Sequence, residues 1–148
     1  MNQIISKQIQ SLIDLETQCW DEQQIDLFLD ILHPDMVWPW PPSAKDHDPE
    51  TWVLEMGRFD RERWRASWQS LFASHDLIHN HRKTVKILIS KELDGALAVV
   101  DIDTLWKHKV TGEKSHWLGR VCKIYTKMPE GDWKFYFQTG ALDFSIKI

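Results

Sequence analysis

Apolar residues recur at two different spacings along the chain, and the change of spacing divides it into two parts. Up to about residue 74 they recur every three or four positions, as on one face of a helix, starting with Ile5, Ile9 and Ile13. After Ser74 they alternate with polar residues, which is the pattern of a half-buried strand. Helices followed by consecutive strands predict an α+β fold, and we expect a single domain over residues 1–148.

Residues that begin or end helices set the limits of the predicted helices. The first is predicted over residues 4–20. A second is expected to begin at once, with Asp21 as its N-cap and Gln24 in the capping-box position, and to end before Pro34. A later helix is expected to begin at Asp60, another N-cap residue.

Turn-forming clusters divide the second half of the chain into strands. The clusters are ELDG, VTGE and MPEGD, and the strands between them are predicted at 77–91, 96–109, 115–128 and 133–142. Because tight turns join neighbouring strands, we expect an antiparallel meander. A short additional strand is expected at DMVW, residues 35–38.

Pairing the strands across these turns predicts which residues share a face of the sheet. The face that we expect the helices to cover collects His79, His81, Val85, Ile87, Ile89, Val100, Ile102, Thr104, Trp106, Trp117, Val121, Tyr125, Trp133, Phe135 and Phe137. The opposite face collects Arg82, Lys86, Asp101, Asp103, Arg120, Lys134 and Gln138. A single β-bulge would exchange the faces beyond it.

The order of these elements resembles the nuclear-transport-factor-2-like (NTF2-like) fold of ketosteroid isomerases, scytalone dehydratase, limonene epoxide hydrolase and the SnoaL-like polyketide cyclases. The stretches LDILHPDMVW and GDWKFYFQTGALDF are similar to small SnoaL-like proteins. The resemblance implies a cone in which N-terminal helices pack on a curved antiparallel sheet, with a deep pocket between them. It also implies a homodimer formed through the convex face of the sheet.

Nine tryptophans are the one unusual feature of the composition. Tryptophan brings a large apolar surface and an N–H group that needs a partner when buried. We expect Trp106, Trp117, Phe135 and Phe137 to shape a cavity for a small, flat, apolar ligand. The alternative is that the tryptophans belong to an ordinary core.

The segment DMVWPWPPSAKDHD combines tryptophans with prolines, which fix φ and donate no backbone hydrogen bond. We expect it to form a rigid aromatic lip at the rim of the cone, with Trp38 pointing inward and Trp40 over the entrance. Pro39 and Pro42 also satisfy the PxxP spacing of polyproline ligands, which is the alternative interpretation.

The sequence HNH places His79 and His81 on one face of a strand. An imidazole shuttles protons near neutral pH, so we predict that these histidines are catalytic. Two alternatives are a metal site, with Asp35 or His108 as a third ligand, and partly exposed histidines without a chemical role. In the catalytic role that we predict, the histidines act without a bound metal ion or cofactor.

The stretch VVDIDTLW is similar to the Arg-x-Asp strand of the limonene epoxide hydrolases. Asp103 stands at the aspartate position, Asp101 stands where that family has arginine, and Phe135 stands where a second aspartate is expected. If a bulge turns it inward, Asp103 is predicted to serve as a catalytic base with a raised pKa. The alternative is a surface on which the two aspartates pair with Lys86 and Arg120.

Charge and cysteine content exclude several classes of protein. A net charge of −4 argues against binding to nucleic acid. Cys19 and Cys122 show no CxxC spacing, so we expect no disulfide framework and, by default, a cytoplasmic location. No apolar run approaches the roughly 18 residues of a membrane span, and we therefore expect no membrane insertion.

Two functions follow from these observations. One is a SnoaL-like pocket enzyme that acts on an apolar cyclic or polyketide-like compound as a cofactor-free lyase, isomerase or cyclase, with His79 or His81 as the base. The other is a non-catalytic ligand-binding or dimerisation module of the same fold.

Overall fold

Helices and strands follow one another in the predicted order in the computed structural model, which describes residues 1–142. In chain order the elements are α1 (Asn2–Asp21), α2 (Ile25–Asp30), β1 (Leu32–Val37), a 3-10 turn (Pro49–Thr51), α3 (Arg61–Ser74), β2 (His75–Ile89), β3 (Gly95–His108), β4 (Lys114–Lys127) and β5 (Trp133–Gln138). The fold is α+β, with the helices packed on one face of a curved, open sheet.

The strands of the described chain form one mixed sheet in the order β1-β5-β4-β3-β2. Strands β2 to β5 are the expected antiparallel meander. The short strand β1 adds to the edge and runs parallel to β5, with Leu32 opposite Phe135. Its edge position explains why Pro34 is tolerated inside the strand, since an edge residue has one side without a pairing strand.

The helix boundaries differ from the prediction at one point. Helix α1 runs on through Asp21, so Asp21 does not cap α2. Gln23 then adopts a left-handed φ of +56°, and α2 begins at Ile25 without a side-chain cap. The predicted cap of α3 is confirmed, because Asp60 accepts a hydrogen bond from the backbone N–H of Arg63 at 2.9 Å. No helix among residues 1–142 is long and apolar enough to cross a membrane.

A bulge at Ile78 changes the face assignment of β2. Leu77 lies opposite Trp106, but His79 lies opposite Leu105, so Ile78 is the extra residue. His79 and His81 therefore point to the outer, convex face of the sheet. The expectation that they share a face with Trp106 is wrong, because one additional residue shifts the alternation.

The same bulge turns Arg82 to the inner face, which the helices cover, whereas we expected it outside. Arg82 lies opposite Ile102, an inner-face residue. A second bulge lies at Val85, because Thr84 pairs with Val100 and Lys86 pairs with the next residue, Val99. Val85 is therefore exposed and not on the inner face.

A third irregularity, between β4 and β5, moves two further residues. Tyr125 lies opposite Phe135 as predicted, but Ile124 lies opposite Phe137, so Tyr136 is the extra residue. Phe137 consequently lies on the outer face, and Gln138 lies on the inner face opposite Lys123. Both predicted positions are wrong for the same reason as in β2.

The register between β3 and β4 differs by two residues from the prediction. Trp117 lies opposite Thr104, and Trp106 lies opposite Ser115, because the connection after His108 is longer than a two-residue turn. A shift of two residues preserves the face, so Trp106 and Trp117 both remain on the inner side.

Aromatic rings hold the helices to the sheet. Trp20 of α1 meets Trp68 of α3 edge to face, with ring centroids 4.8 Å apart, and Trp38 meets Phe135 of β5 at 5.7 Å. Trp64 is completely buried. These contacts place the centre of the core between α1, α3 and the inner face.

Gly140 lies directly beneath the proline-rich segment, and we predict that the Gly140→Ala variant loses about 1–3 kcal/mol of folding free energy. An added Cβ would lie 2.5 Å from Cγ of Pro41 and 3.0 Å from Cζ2 of Trp52, which are both rigid groups. Gly95→Ala is the matched control, because its Cβ would meet nothing closer than 3.8 Å. Urea denaturation measures both variants, and equal stabilities would contradict the close contact.

Candidate ligand pocket

A cavity of about 420 Å³ lies between α1, the proline-rich segment and the inner face of the sheet. Five tryptophans line it, together with aliphatic residues and two prolines: Trp20, Trp38, Trp40, Trp106 and Trp117. Its polar lining consists of Glu16, His75, Arg82, Thr104, Ser115 and Gln138. The polar groups converge within an otherwise apolar site, which is typical of a small-molecule pocket.

The proline-rich segment forms one wall of this cavity. Trp40 exchanges two backbone hydrogen bonds with Val53, at 2.6 and 2.9 Å, and the indole of Trp52 donates to the carbonyl of Asp46 at 2.7 Å. Trp38 is buried, and the ring centroids of Trp40 and Trp117 lie 6.1 Å apart, so these two indoles contact each other. The segment is thus folded onto its own domain, and Pro41 and Pro42 line the cavity, which does not favour the polyproline-ligand interpretation.

The floor of the pocket is built on Glu16, which is only 1% exposed. Its Oε1 accepts a hydrogen bond from Nζ of Lys123 at 2.9 Å. Its Oε2 accepts from Nη1 of Arg82 at 2.8 Å and from Nε1 of Trp20 at 3.0 Å. One carboxylate therefore joins α1 to β2 and to β4.

Lys123 is completely buried beneath this floor. Its ammonium group also donates to Oε1 of Gln138 at 2.6 Å and stands 5.1 Å from the ring centre of Phe135. Such additional contacts are needed because removing two charges from water costs free energy. The attraction between the charges offsets that desolvation cost only when the geometry is good and further hydrogen bonds are made.

Burial and charge act in opposite directions on these groups. Burial alone would raise the pKa of Glu16, but the charges of Lys123 and Arg82 outweigh it and lower the pKa to about 2. Burial lowers the pKa of Lys123 to about 8, because the cost of desolvating the ammonium exceeds the attraction of Glu16. At neutral pH the network is therefore charged throughout.

Arg82 is held in place by a second set of hydrogen bonds. Its Nε donates to Oδ1 of Asn80 at 3.2 Å, and the same oxygen accepts from Oγ1 of Thr104 at 2.8 Å. Nη2 of Arg82 has no hydrogen-bond acceptor among residues 1–142. The network thus presents an oriented guanidinium group to the pocket.

His75 is the pocket histidine, at the junction of α3 and β2. Its Nδ1 lies 2.7 Å from Oγ of Ser74, and that hydroxyl donates its one hydrogen to the carbonyl of Ser70 at 2.8 Å. With the hydroxyl hydrogen on the carbonyl of Ser70 or on that of Leu71, 3.2 Å away, Nδ1 of His75 is the donor to Oγ, and Nε2 then carries the lone pair.

Comparison with known proteins identifies the fold. No family model matches the sequence, and no curated protein matches it either. A conserved protein from Planctomyces limnophilus superposes with a TM-score of 0.73 at 11% identity, over 93% of this chain and 95% of its own. An NTF2-like superfamily protein from Salmonella enterica gives a TM-score of 0.70 at 12% identity, over 99% and 97%.

The chain has the NTF2-like fold. A protein from Novosphingobium aromaticivorans, provisionally named a scytalone dehydratase, shares it with a TM-score of 0.69 at 10% identity, over 97% of this chain and 95% of its own. At such identities the likeness concerns the fold alone.

The NTF2-like fold brings only some of the predicted site residues together. Trp38, Trp40, Trp106 and Trp117 line the pocket as expected. Phe135 is completely buried in the core and supports the floor from below. Phe137, on the outer face, takes no part in the pocket lining.

His79, His81 and Asp103 lie on the outer face of the NTF2-like sheet, away from the pocket. Oδ1 of Asp103 lies 2.8 Å from Nε2 of His79 and 2.6 Å from Nε2 of His116. The predicted inward position of the histidines is wrong, and Asp103 stays outside. Asp101 pairs with Arg120 at 2.7 Å on the same face, but Lys86 lies opposite Val99 and Asp103 is bound by the two histidines, so the surface interpretation of the two aspartates is met only for Asp101 and Arg120.

Sequence reasoning missed the charged floor of the NTF2-like pocket. Glu16 occupies a position of the apolar stripe of α1, between Ile13 and Trp20. Lys123 alternates with buried Val121 and Tyr125 in β4. The sequence did contain a signal, because a charged residue at a core position of an apolar pattern is rare. Two such residues of opposite charge, Glu16 and Lys123, predict a buried ion pair.

Replacing Glu16 by glutamine is expected to destabilise the protein by about 3–5 kcal/mol, because Lys123 and Arg82 then remain buried without their anion. Glu22→Gln, on the exposed end of the same helix, removes the same charge without this loss and serves as the control. Urea denaturation monitored by circular dichroism gives both values. A Glu16→Gln variant as stable as Glu22→Gln would contradict a structural role for the pair.

Acid is expected to remove the contribution of Glu16. Its folded-state pKa of about 2 lies below its ordinary value of 4.5, so the stabilisation is present above pH 4.5 and is lost as the pH falls toward 2. The shift corresponds to about 3 kcal/mol. The difference in unfolding free energy between the wild-type protein and Glu16→Gln should shrink over this range. A constant difference would show that Glu16 does not titrate there.

Proposed function

We propose that the protein binds a small, flat, apolar cyclic or polyketide-like compound that carries an acidic oxygen, and acts on it as a cofactor-free lyase or isomerase. The supporting observation is an aromatic pocket whose floor is a buried ion network with an excess of positive charge. The NTF2-like fold, which the provisionally named dehydratase shares, is compatible with such a role.

The size and walls of the pocket support a small ring compound. Its volume of about 420 Å³ falls within the roughly 300–1,000 Å³ of small-molecule sites. Flat indole surfaces on several sides favour a planar or near-planar apolar ligand. Trp40 and Trp117 contact each other and together form one aromatic side of the cavity.

The charge of the floor supports an acidic group on the ligand. Within the described residues, the network contains the carboxylate of Glu16 and the cations of Arg82 and Lys123, which leaves one positive charge in excess. Lys123 is buried beneath the floor, whereas Arg82 lines the pocket. A carboxylate or enolate oxygen would compensate the excess charge at Arg82 through a charge-assisted hydrogen bond.

His75 replaces His79 and His81 as the proposed base. Its Nε2 would remove a proton from the carbon beside a carbonyl group, and the electron pair would move onto the carbonyl oxygen. Arg82 lines the same cavity, and its charge would stabilise an anionic oxygen of the ligand. In a lyase the resulting enolate then expels a leaving group from the neighbouring carbon, a C=C bond forms, and the protonated His75 gives its proton to the leaving group. In an isomerase the substrate is a β,γ-unsaturated ketone, so that a dienolate forms and takes the proton back from His75 at the γ-carbon.

A non-catalytic ligand-binding module is the second candidate. The observation that favours it is that Glu16 accepts hydrogen bonds from Lys123, Arg82 and Trp20 and has a pKa of about 2. Glu16 therefore cannot act as a base near neutral pH, and proton transfer would depend on His75 alone. The homodimer expected through the convex face stays a prediction for either function.

We expect indane-2-carboxylate to bind at least about tenfold more tightly than the neutral indane-2-methanol, because only the acid compensates the charge of Arg82. Quenching of tryptophan fluorescence and calorimetry measure both affinities. Arg82→Gln should remove the preference, whereas Arg61→Gln, which changes an exposed arginine paired with Asp30, should keep it. Equal affinities for both compounds in the wild-type protein would contradict the proposed charge selection.

The His75→Asn variant distinguishes an enzyme from a binding protein. Cyclic carbonyl compounds are incubated with the protein in heavy water, and NMR measures the exchange of hydrogen for deuterium at the carbon beside the carbonyl group. Exchange by the wild-type protein that is lost in His75→Asn, with binding intact, supports the enzyme. Binding without any exchange supports the non-catalytic module.

A further inference from the structure

We infer that His79, Asp103 and His116 form a binding site for a divalent transition metal ion of the zinc type on the outer face of the sheet. This site is separate from the pocket, which lies on the other face, and it does not depend on the function proposed above. The three residues belong to three neighbouring strands, β2, β3 and β4.

The register of the sheet brings these residues together. His79 and His116 lie on either side of Leu105, which pairs with both. Asp103 precedes Leu105 by two residues and therefore lies on the same face of the central strand. Its carboxylate reaches between the two imidazoles, so each candidate ligand comes from a regular, hydrogen-bonded strand and not from a loop.

The distances between ligand atoms are short enough for one ion. Oδ1 of Asp103 lies 2.8 Å from Nε2 of His79 and 2.6 Å from Nε2 of His116, and the three ligand atoms lie within 4.8 Å of one another. Ligand atoms around a tetrahedral zinc ion are about 3.3 Å apart, given zinc–nitrogen distances of about 2.0–2.1 Å. Small side-chain rotations suffice to admit the ion.

The chemistry of the three groups matches such an ion. Two imidazole nitrogens and one carboxylate oxygen form a ligand set that zinc accepts, and hard ions such as Mg²⁺ prefer oxygen ligands. Each neutral ring can carry its hydrogen on Nδ1 when Nε2 binds the metal.

Three protein ligands leave a coordination position open. In the single chain, the side chains of His79, Asp103 and His116 are 30%, 41% and 47% exposed, so water can reach the ion there. The nearby Arg120 is engaged by Asp101 through two hydrogen bonds, which compensates a positive charge on the same face. A site of this kind resembles, in its ligand count, zinc sites that retain a water molecule.

His81 provides a matched control on the same strand and face. Its ring stacks on that of His79 at 5.0 Å with an interplanar angle of 17°, yet it makes no hydrogen bond to Asp103. If zinc binds to any exposed histidine, replacing His81 should reduce zinc affinity as much as replacing His116. If zinc binds at the proposed site, only the replacement of His116 should reduce it strongly.

Calorimetric titration of the metal-free full chain with zinc chloride tests the site. We expect one ion per chain, with affinity reduced at least roughly a hundredfold in His116→Asn, which removes a direct ligand, and changed less than about twofold in His81→Asn. Circular dichroism verifies that both variants are folded. Titration with Co²⁺ should give visible absorption bands typical of tetrahedral coordination in the wild-type protein and His81→Asn, but not in His116→Asn.

Three results would overturn the proposal. One is the absence of zinc binding by the folded wild-type chain at millimolar ion concentrations. The second is an affinity of His116→Asn equal to that of the wild-type protein. The third is an equal loss of affinity in His81→Asn and His116→Asn, which would indicate diffuse binding by exposed histidines.

Discussion

The buried ion pair between Glu16 and Lys123 is the constraint on which the rest of the domain depends. A carboxylate at a core position of α1 and an ammonium at a core position of β4 are each costly to bury, and only their mutual contact makes burial tolerable. Apolar contacts are less directional than this pair. The ion pair therefore adds its own constraint to the position and rotation of α1 over the sheet, because the two charges must meet.

The pocket follows from this position. Because α1 is anchored at Glu16, the space beside that anchor is bounded by the sheet below and by the folded lip at Trp40 opposite. Arg82 completes the network and carries its excess positive charge to the cavity surface. The same contacts therefore stabilise the domain and determine what the cavity can bind, so substitutions in the floor change stability and ligand preference together.

The sequence was sufficient to predict what local patterns encode. The order of helices and strands, the cap at Asp60 and the aromatic lip all depend on residues close together in the chain. The charged floor could not be paired in the same way, because Glu16 and Lys123 are 107 positions apart and meet only in the folded state. The face of His79 was mispredicted for another reason. A bulge adds one residue to β2 at Ile78, and isoleucine is an ordinary strand residue that does not indicate a bulge.

The extra residues at Ile78, Val85 and Tyr136 have a consequence for the comparison of distant relatives. Each one interrupts the alternation of inner-face and outer-face residues in its strand. If even-numbered residues face inward before the bulge, odd-numbered residues face inward after it, or the reverse. A sequence alignment without gaps inside the strands would match pocket residues of one protein with outer-face residues of another. At the low identities seen among proteins of this shape, single-residue gaps at these positions decide which side chains are regarded as equivalent.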